Sequence, residues 1–318
     1  MDFTGAKAVK QSSRLAELGV AQTTLKRAVS CTGIGLHNGH QIRLSLHPAA
    51  ANSGIVFRRV DLPGTPVIPA RYDRVSDLVL CTTLAVDDVK VATVEHLLAA
   101  LAGLGIDNAR VDVDGPEVPV MDGSSAPFVG LIEQAGTLGL STPRRYIRIL
   151  APIEVRDGNR VARLEPGYGF SVAVAIDFDS AAVGRQAVEV ELDDGAFKAE
   201  LASARTFGFA HEVQQLQAMG LARGGSLDNA VVIDGDRILN DGGLRFGDEF
   251  ARHKALDALG DLYLAGAPII GRFHGERSGH ALNNRLLHEL FAQPESWCFA
   301  SHAVALPTHP EMALAAAE

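Results

Sequence analysis

The chain has 318 residues, 47% hydrophobic and 21% charged, enough to bury roughly three quarters of its unfolded surface in one or two domains. Its 29 basic residues against 38 acidic ones leave a net charge of −9, which removes any global pull toward nucleic acid while still allowing a local basic pocket for a phosphate. The three cysteines, Cys31, Cys81 and Cys298, are odd in number and form no CxxC pair, so a thiolate zinc cluster and a secreted disulfide framework are both disfavoured.

Residues 1–22 read as an N-terminal extension with a short helix over Ser13–Leu18 and no apolar core of a signal peptide. No apolar run reaches ~18 residues, so no membrane-spanning helix is expected and the expected location is the cytoplasm. A first domain is predicted over 23–143. Strands are expected at Gln41–Leu46, after the turn Gly35–Gly39, and at Ile55–Arg58. Val94, Leu97, Leu98 and Leu101 are spaced for a helix over Thr93–Leu104. A strand follows at Ala109–Val113, then a Pro-rich loop at Gly115–Gly123 and a helix at Pro127–Ala135.

Thr142-Pro143-Arg144-Arg145 reads as a linker, and a second domain is predicted over 144–305. Ile147–Val155 and Arg160–Leu164 flank Asp157-Gly158-Asn159, a hairpin-turn signal. A strand is expected at Phe170–Phe178 and helices at Ala196–Ala204, His211–Met219, Glu249–Leu264 and Asn283–Phe291, with a strand at Pro268–Phe273. Residues 306–318 form a tail. His253 follows His96 by about half the chain; each lies in an apolar helix, seven residues before a glycine and ahead of a strand. This self-similarity predicts an α+β protein of two similar domains, each a small sheet packed on helices. A segment at about 207–246 interrupts the repeated order in the second half and reads as a βαβ-like insertion.

Four constellations could carry chemistry. His253-Lys254-x-x-Asp257-x-x-x-Asp261 places an imidazole and carboxylates along one helix face, where they can share a metal ion or form a solvated i, i+4 pair. Glu95-His96 sits in an otherwise apolar helix. Adjacent side chains diverge by about 100°, so one metal would take the histidine and leave the carboxylate beside its water; a satisfied core histidine is the alternative. Arg277-Ser278-Gly279-His280 could project an imidazole into a cleft or be a surface loop. Ala204–Phe209 places Thr206 and two aromatics at the mouth of the insertion. His37, His40 and His47 flank a hairpin and read as turn and strand ends. No P-loop, GxSxG or HExxH motif is present.

Taken together, Thr93–Leu97, Pro119–Ser124, Ala204–Phe209, Arg252–Asp261 and Ser278–Asn284 resemble the UDP-3-O-acyl-N-acetylglucosamine deacetylases of lipid A biosynthesis. The resemblance runs from about Thr24 to Ala292. It implies a zinc centre (Fe²⁺ being the other candidate ion) held by His96, His253 and Asp257 at the interface of the two domains. It implies hydrolysis of an acetamide on a nucleotide sugar. Glu95 would take the proton of the attacking water and Thr206 would help stabilise the oxyanion. His280, oriented by Asp261, would protonate the leaving amine. Lys254 would contact the sugar.

The resemblance also implies an acyl passage through the insertion, lined by Ala210, Val213, Ala222, Ser226, Ala230 and Val232. Phe178 would stack on uracil, Arg277 would hold the diphosphate, and Phe207 would join the substrate contacts. The implied partner is a UDP-linked acylated amino sugar, with no nucleic acid; transient contact with a membrane or with acyl-transfer enzymes is left open. Two other readings stay open: a non-catalytic binder of nucleotide-linked lipid, and a zinc amidase acting on another acylated amino sugar.

Overall fold

Strand Gln41–Pro48 buries Ile42, Leu44 and Leu46 and turns Gln41 and Arg43 outward, the period-two pattern of a sheet with one face on a core. The same logic recurs in Ala109–Val113, which buries Ala109, Val111 and Val113. A computed structural model describes residues 20–193 and 195–301; the helix expected at Ser13–Leu18 and the tail from residue 306 lie outside the described residues.

The five-stranded sheet of the first half runs in the order Val29–Ile34, Gln41–Pro48, Ala109–Val113, Ile55–Arg59, Val67–Pro69. In the second half the order is Ile153–Asp157, Arg160–Glu165, Ile269–Glu276, Phe170–Asp177, Arg185–Glu191, extended by Tyr146–Ile149 and Trp297–Ala300. In both, the central strand comes late in the chain. It follows a helix, pairs antiparallel with the second strand and parallel with the fourth. The two helices are α1 (Glu95–Gly103) and, later in the chain, the fourth helix (Glu249–Tyr263). The predicted pair of similar α+β units is therefore seen in the strand order itself.

The remaining helices are α2 (Ala126–Ala135), α3 (Ala210–Ala218) and the fifth helix (His280–Ala292), so Glu249–Tyr263 is α4 and His280–Ala292 is α5. Both α1 and α4 bury nearly every side chain, as a helix enclosed on all sides must. They pack directly on one another. A Cβ at Gly260 would lie 2.1 Å from the Glu95 carbonyl oxygen, so only glycine permits this approach. The insertion is a βαβ unit: Phe207–Phe209 and Val231–Asp234 pair in parallel around α3, with Arg237–Ile238 added at the edge.

Several expectations need correction. The strand expected over Ile147–Val155 is two strands, Tyr146–Ile149 and Ile153–Asp157, in the same sheet. They are separated at Leu150-Ala151-Pro152, where proline offers no N–H to a ladder. The helix expected over Ala196–Ala204 is a single wide turn at Phe197–Leu201. Helix α5 begins at His280 rather than Asn283, because Gly279 in extended conformation starts it earlier. Short strands such as Val75–Asp77, Thr83–Val86 and Val89–Val91, which form a separate three-stranded sheet, lie outside the predicted elements. None of the described helices is long and apolar enough to cross a membrane.

Candidate metal centre and active site

The N-terminal turn of α1 and the middle of α4 meet where the helices cross. This brings together side chains that are far apart in sequence. One ligand atom from each of His96, His253 and Asp257 lies within 4.8 Å of the others, and all three residues are buried. Asp257 Oδ1 stands 3.5 Å from His96 Nε2 and 3.4 Å from His253 Nε2, yet hydrogen-bonds to neither. Ligands on a tetrahedral zinc at about 2.0–2.2 Å are separated by about 3.4 Å. A buried carboxylate oxygen without a donor, flanked by two imidazole nitrogens at that spacing, fits a cation.

The surroundings prepare these donors. His253 Nδ1 lies 3.1 Å from the Ala204 carbonyl, so Nδ1 carries the proton and the Nε2 lone pair is free. Burial pushes the His253 pKa down to about 3, which keeps the imidazole neutral. Burial would raise the Asp257 carboxyl, but neighbouring cations, the Lys254 ammonium and the His280 imidazolium among them, outweigh it and hold the group well below its ordinary range. Lys254 Nζ is 2.8 Å from Asp257 Oδ2 and lies 5.7 Å from the centre of the Phe207 ring. Ser125 Oγ donates to the His96 carbonyl at 2.7 Å, tying α1 to the start of α2.

Glu95 is buried beside this triangle. Its Oε2 accepts the Thr82 N–H at 3.1 Å. Burial raises its pKa, opposed by the nearby His280 and His96. Asp261 does not join the metal group, as its place on the helix face had allowed. Its Oδ2 accepts from His280 Nδ1 at 2.8 Å and from Asn283 Nδ2 at 2.9 Å, and its Oδ1 accepts from Thr82 Oγ1 at 2.6 Å. Burial alone would lower the His280 pKa, but Asp261 overrides it and raises it to about 9. The imidazolium therefore persists through neutral pH.

Thr206 is placed from the other half of the molecule. Its N–H donates to the Gly123 carbonyl at 2.8 Å. Gly123 has φ +85°, and a Cβ there would lie 2.2 Å from the Asn229 carbonyl oxygen, so the site requires glycine. The adjacent Arg205 is held by Glu249, the first residue of α4, through its N–H at 3.0 Å, Nε at 2.8 Å and a terminal nitrogen at 3.1 Å. Phe178, Phe207 and Phe209 form an aromatic group next to His253, with Phe178 and Phe207 5.7 Å apart and Phe207 6.3 Å from the imidazole. Arg277 pairs with Asp177 at the end of the strand that leads to Phe178.

Of the passage candidates, Ala210 and Val213 lie on α3, Ala222 and Ser226 in the loop after it, and Ala230 and Val232 at the second strand of the insertion. His37, His40 and His47 join no metal group among the described residues; His47 instead pairs with Asp112 at 3.2 Å. Thr82, Glu117, Ser125, Arg205, Glu249 and Asn283 are structural contributors that the motif reading did not single out. Arg205 and Asn283 stand inside quoted motifs. Thr82 and Glu117 belong to no quoted motif, and their partners are visible only in the fold.

A buried histidine–histidine–aspartate triangle, with a carboxylate on one side and a carboxylate-backed imidazole on the other, is the arrangement of a metal-dependent hydrolase. The model of one family, UDP-3-O-acyl N-acetylglycosamine deacetylase, matches residues 22–292. The chain is 53% identical over 280 residues to the UDP-3-O-acyl-N-acetylglucosamine deacetylase of Methylococcus capsulatus, covering 87% of this chain and 92% of that protein. It is 53% identical over 278 residues to the enzyme of the same name from Phenylobacterium zucineum, covering 87% and 95%. For that of an Anaeromyxobacter species, identity is 54% over 273 residues, covering 86% and 89%. The chain belongs to the UDP-3-O-acyl-N-acetylglucosamine deacetylase family.

Proposed function

We propose that this protein hydrolyses the N-acetyl group of a UDP-3-O-acyl-N-acetylglucosamine, releasing acetate and the free amine, as an early committed step of lipid A biosynthesis in the cytoplasm. The observation that carries the reading is the convergence of His96, His253, Asp257, Glu95 and the His280–Asp261 pair at one helix crossing. Zinc, or Fe²⁺ in its place, held by the two histidines and Asp257, would supply Lewis-acid polarisation and an acidified water. Glu95, raised by burial, accepts the proton of the attacking water. His280, kept cationic by Asp261, faces the developing oxyanion and gives its proton to the departing nitrogen. The Thr206 hydroxyl donates to the same oxyanion, and Asp261 fixes which nitrogen of His280 is directed inward. One water is consumed, the C–N bond breaks, and acetate and amine leave.

In this reading Lys254, which lies beside the Phe207 ring, would contact the sugar, Arg277 would meet the diphosphate and Phe178 would stack on uracil. The small residues of the insertion would leave room for the acyl chain, each buried CH₂ adding ~0.8 kcal/mol of anchoring. The same proposal divides the chain near residue 143, so that each half contributes to one shared site.

The decisive experiment measures acetate release from the UDP substrate by wild type, Glu95→Ala and Asp257→Ala, with bound metal quantified in parallel. Wild type should turn over, Glu95→Ala should keep its metal and lose activity, and Asp257→Ala should lose both. Wild-type protein that binds metal and substrate without releasing acetate would instead be a silent binder.

A further inference from the structure

We propose that Glu117 is a positioning residue that couples the insertion to the catalytic end of α1. The proposal rests on the deacetylase reading above and concerns how the acyl-binding part of the molecule is registered against the base. Glu117 is 2% exposed and carries no role in the chemistry just described. Its carboxylate accepts from three donors in two different segments, the His37 N–H being shared between both oxygens. Thr93 Oγ1 donates at 3.0 Å, the His37 N–H at 2.9 Å and the Asn38 N–H at 3.1 Å.

Each of those segments leads to a functional region. Thr93 has φ +57°, a left-handed conformation that a β-branched residue adopts only when its surroundings enforce it. It stands two residues before Glu95 and three before His96, so its backbone sets the direction in which α1 departs. Its hydroxyl donates to Glu117 and also meets the Cys81 thiol, so the strained residue is held on two sides.

On the other side, His37 and Asn38 form the tip of the hairpin between Val29–Ile34 and Gln41–Pro48. The carbonyls at that tip hold the insertion. The Arg223 N–H donates to His37 O at 3.2 Å, and the Gly224 N–H donates to Leu36 O at 3.0 Å. Contact here is backbone to backbone: a Cβ at Gly224 would lie 2.2 Å from the Gly35 carbonyl oxygen. Ala222 and Ser226, two candidate passage residues, flank this contact. Asn229 closes the loop by accepting from the Ser226 N–H at 2.8 Å and donating to Gly224 O at 2.9 Å.

Glu117 thus lies one hydrogen bond from the launch of the catalytic helix and two from the passage loop. A shift of about 1 Å between a bound substrate and its base can cost about 10²-fold in rate. Oε1 is shared by Thr93 and the His37 N–H, and Oε2 takes the Asn38 N–H, so an amide nitrogen at either place turns N–H against N–H at the hairpin tip, loosens its link to Thr93 and allows such a shift.

The test compares full-length wild type, Glu117→Gln, Thr93→Val, Thr93→Ser and the Glu117→Gln/Thr93→Val double variant. It measures metal content, thermal midpoint, and acetate release from substrates with a long and a short 3-O-acyl chain. Expected are full metal loading, a 10- to 100-fold fall in kcat for Glu117→Gln and Thr93→Val, and a double variant no worse than the poorer single one. Thr93→Ser, which keeps the hydroxyl, should restore most of the rate. The advantage of the long-chain over the short-chain substrate in kcat/KM should shrink at least threefold in Glu117→Gln. Wild-type kinetics in both Glu117→Gln and Thr93→Val would overturn the proposal. So would equal losses on both substrates that track a lowered midpoint or lost metal, since those report only a weakened fold. If Glu117→Gln does not fold, Thr93→Val reads the same bond from the other side. Absence of turnover in wild type would overturn the deacetylase reading itself, a separate outcome.

Discussion

Helices α1 and α4 occupy the same place in two sheets of like topology, and each begins with a buried glutamate. Their surroundings give those glutamates opposite tasks. Glu249 is saturated: Arg205 and the Arg245 N–H direct four donors onto it, and it holds the segment that carries Thr206. Among the described residues Glu95 receives one hydrogen bond, from the Thr82 N–H, and keeps the rest of its acceptor capacity. A satisfied buried carboxylate is structural, whereas an unsatisfied one with a raised pKa is poised to take a proton. The two halves are thus alike in scaffold and unlike in electrostatics, and a single asymmetric site arises between them.

Several measurements would break or sharpen this contrast. Glu95→Ala should lower kcat by about 10²–10⁴-fold with metal content and thermal midpoint nearly unchanged; a comparable fall in midpoint would make Glu95 structural after all. Glu249→Ala should act first on stability. It leaves the Arg205 guanidinium unpaired in a mostly buried setting and should cost about 3–5 kcal/mol of stability, read by denaturant unfolding. A loss under 1 kcal/mol would mean that solvent replaces the pair.

Gly260→Ala forces a methyl against the Glu95 backbone and should destabilise by about 1–3 kcal/mol while displacing the base. Unaltered kcat in that variant would show that the crossing tolerates a shift. The smallest effect is on pH dependence. His280 must stay protonated, and Asp261 raises its pKa to about 9, so activity should decline as pH rises through that region. Activity should also fall on the acid side, at a pH above the ordinary carboxylate range, because Glu95 must be ionised. Asp261→Asn removes the charge that supports the imidazolium and should move the alkaline limb to lower pH. An unmoved limb would assign it to another group.

The long helices were legible because their apolar spacing is strong. Val94, Leu97, Leu98 and Leu101 mark α1, and Gly105 and Gly266 mark where α1 and α4 have ended. The hairpin at Asp157-Gly158-Asn159 was equally clear, since its turn residues meet a local backbone demand. Two- to four-residue strands such as Arg237–Ile238 and Val89–Val91 were not, because pairing with distant partners defines them rather than their own pattern. Phe197–Leu201 misled for a related reason: its helical composition is overruled by Phe197 packing against Gly103, where a Cβ would lie 2.2 Å from the ring.

At the site, local spacing singled out Glu95-His96 and the His253–Asp257–Asp261 series, and together the quoted motifs pointed to the family. Spacing along one helix left Asp261 free to be a ligand or something else. The resemblance implied its pairing with His280, and the fold adds Thr82 and Asn283 as its further partners. The identity of reactive side chains is a property of composition and short-range periodicity, which a linear chain displays openly. Their division into ligand, base, acid and brace depends on which buried polar atoms find partners across the helix crossing. Glu95 and Glu249 differ only in that respect, and three-dimensional packing alone supplies it.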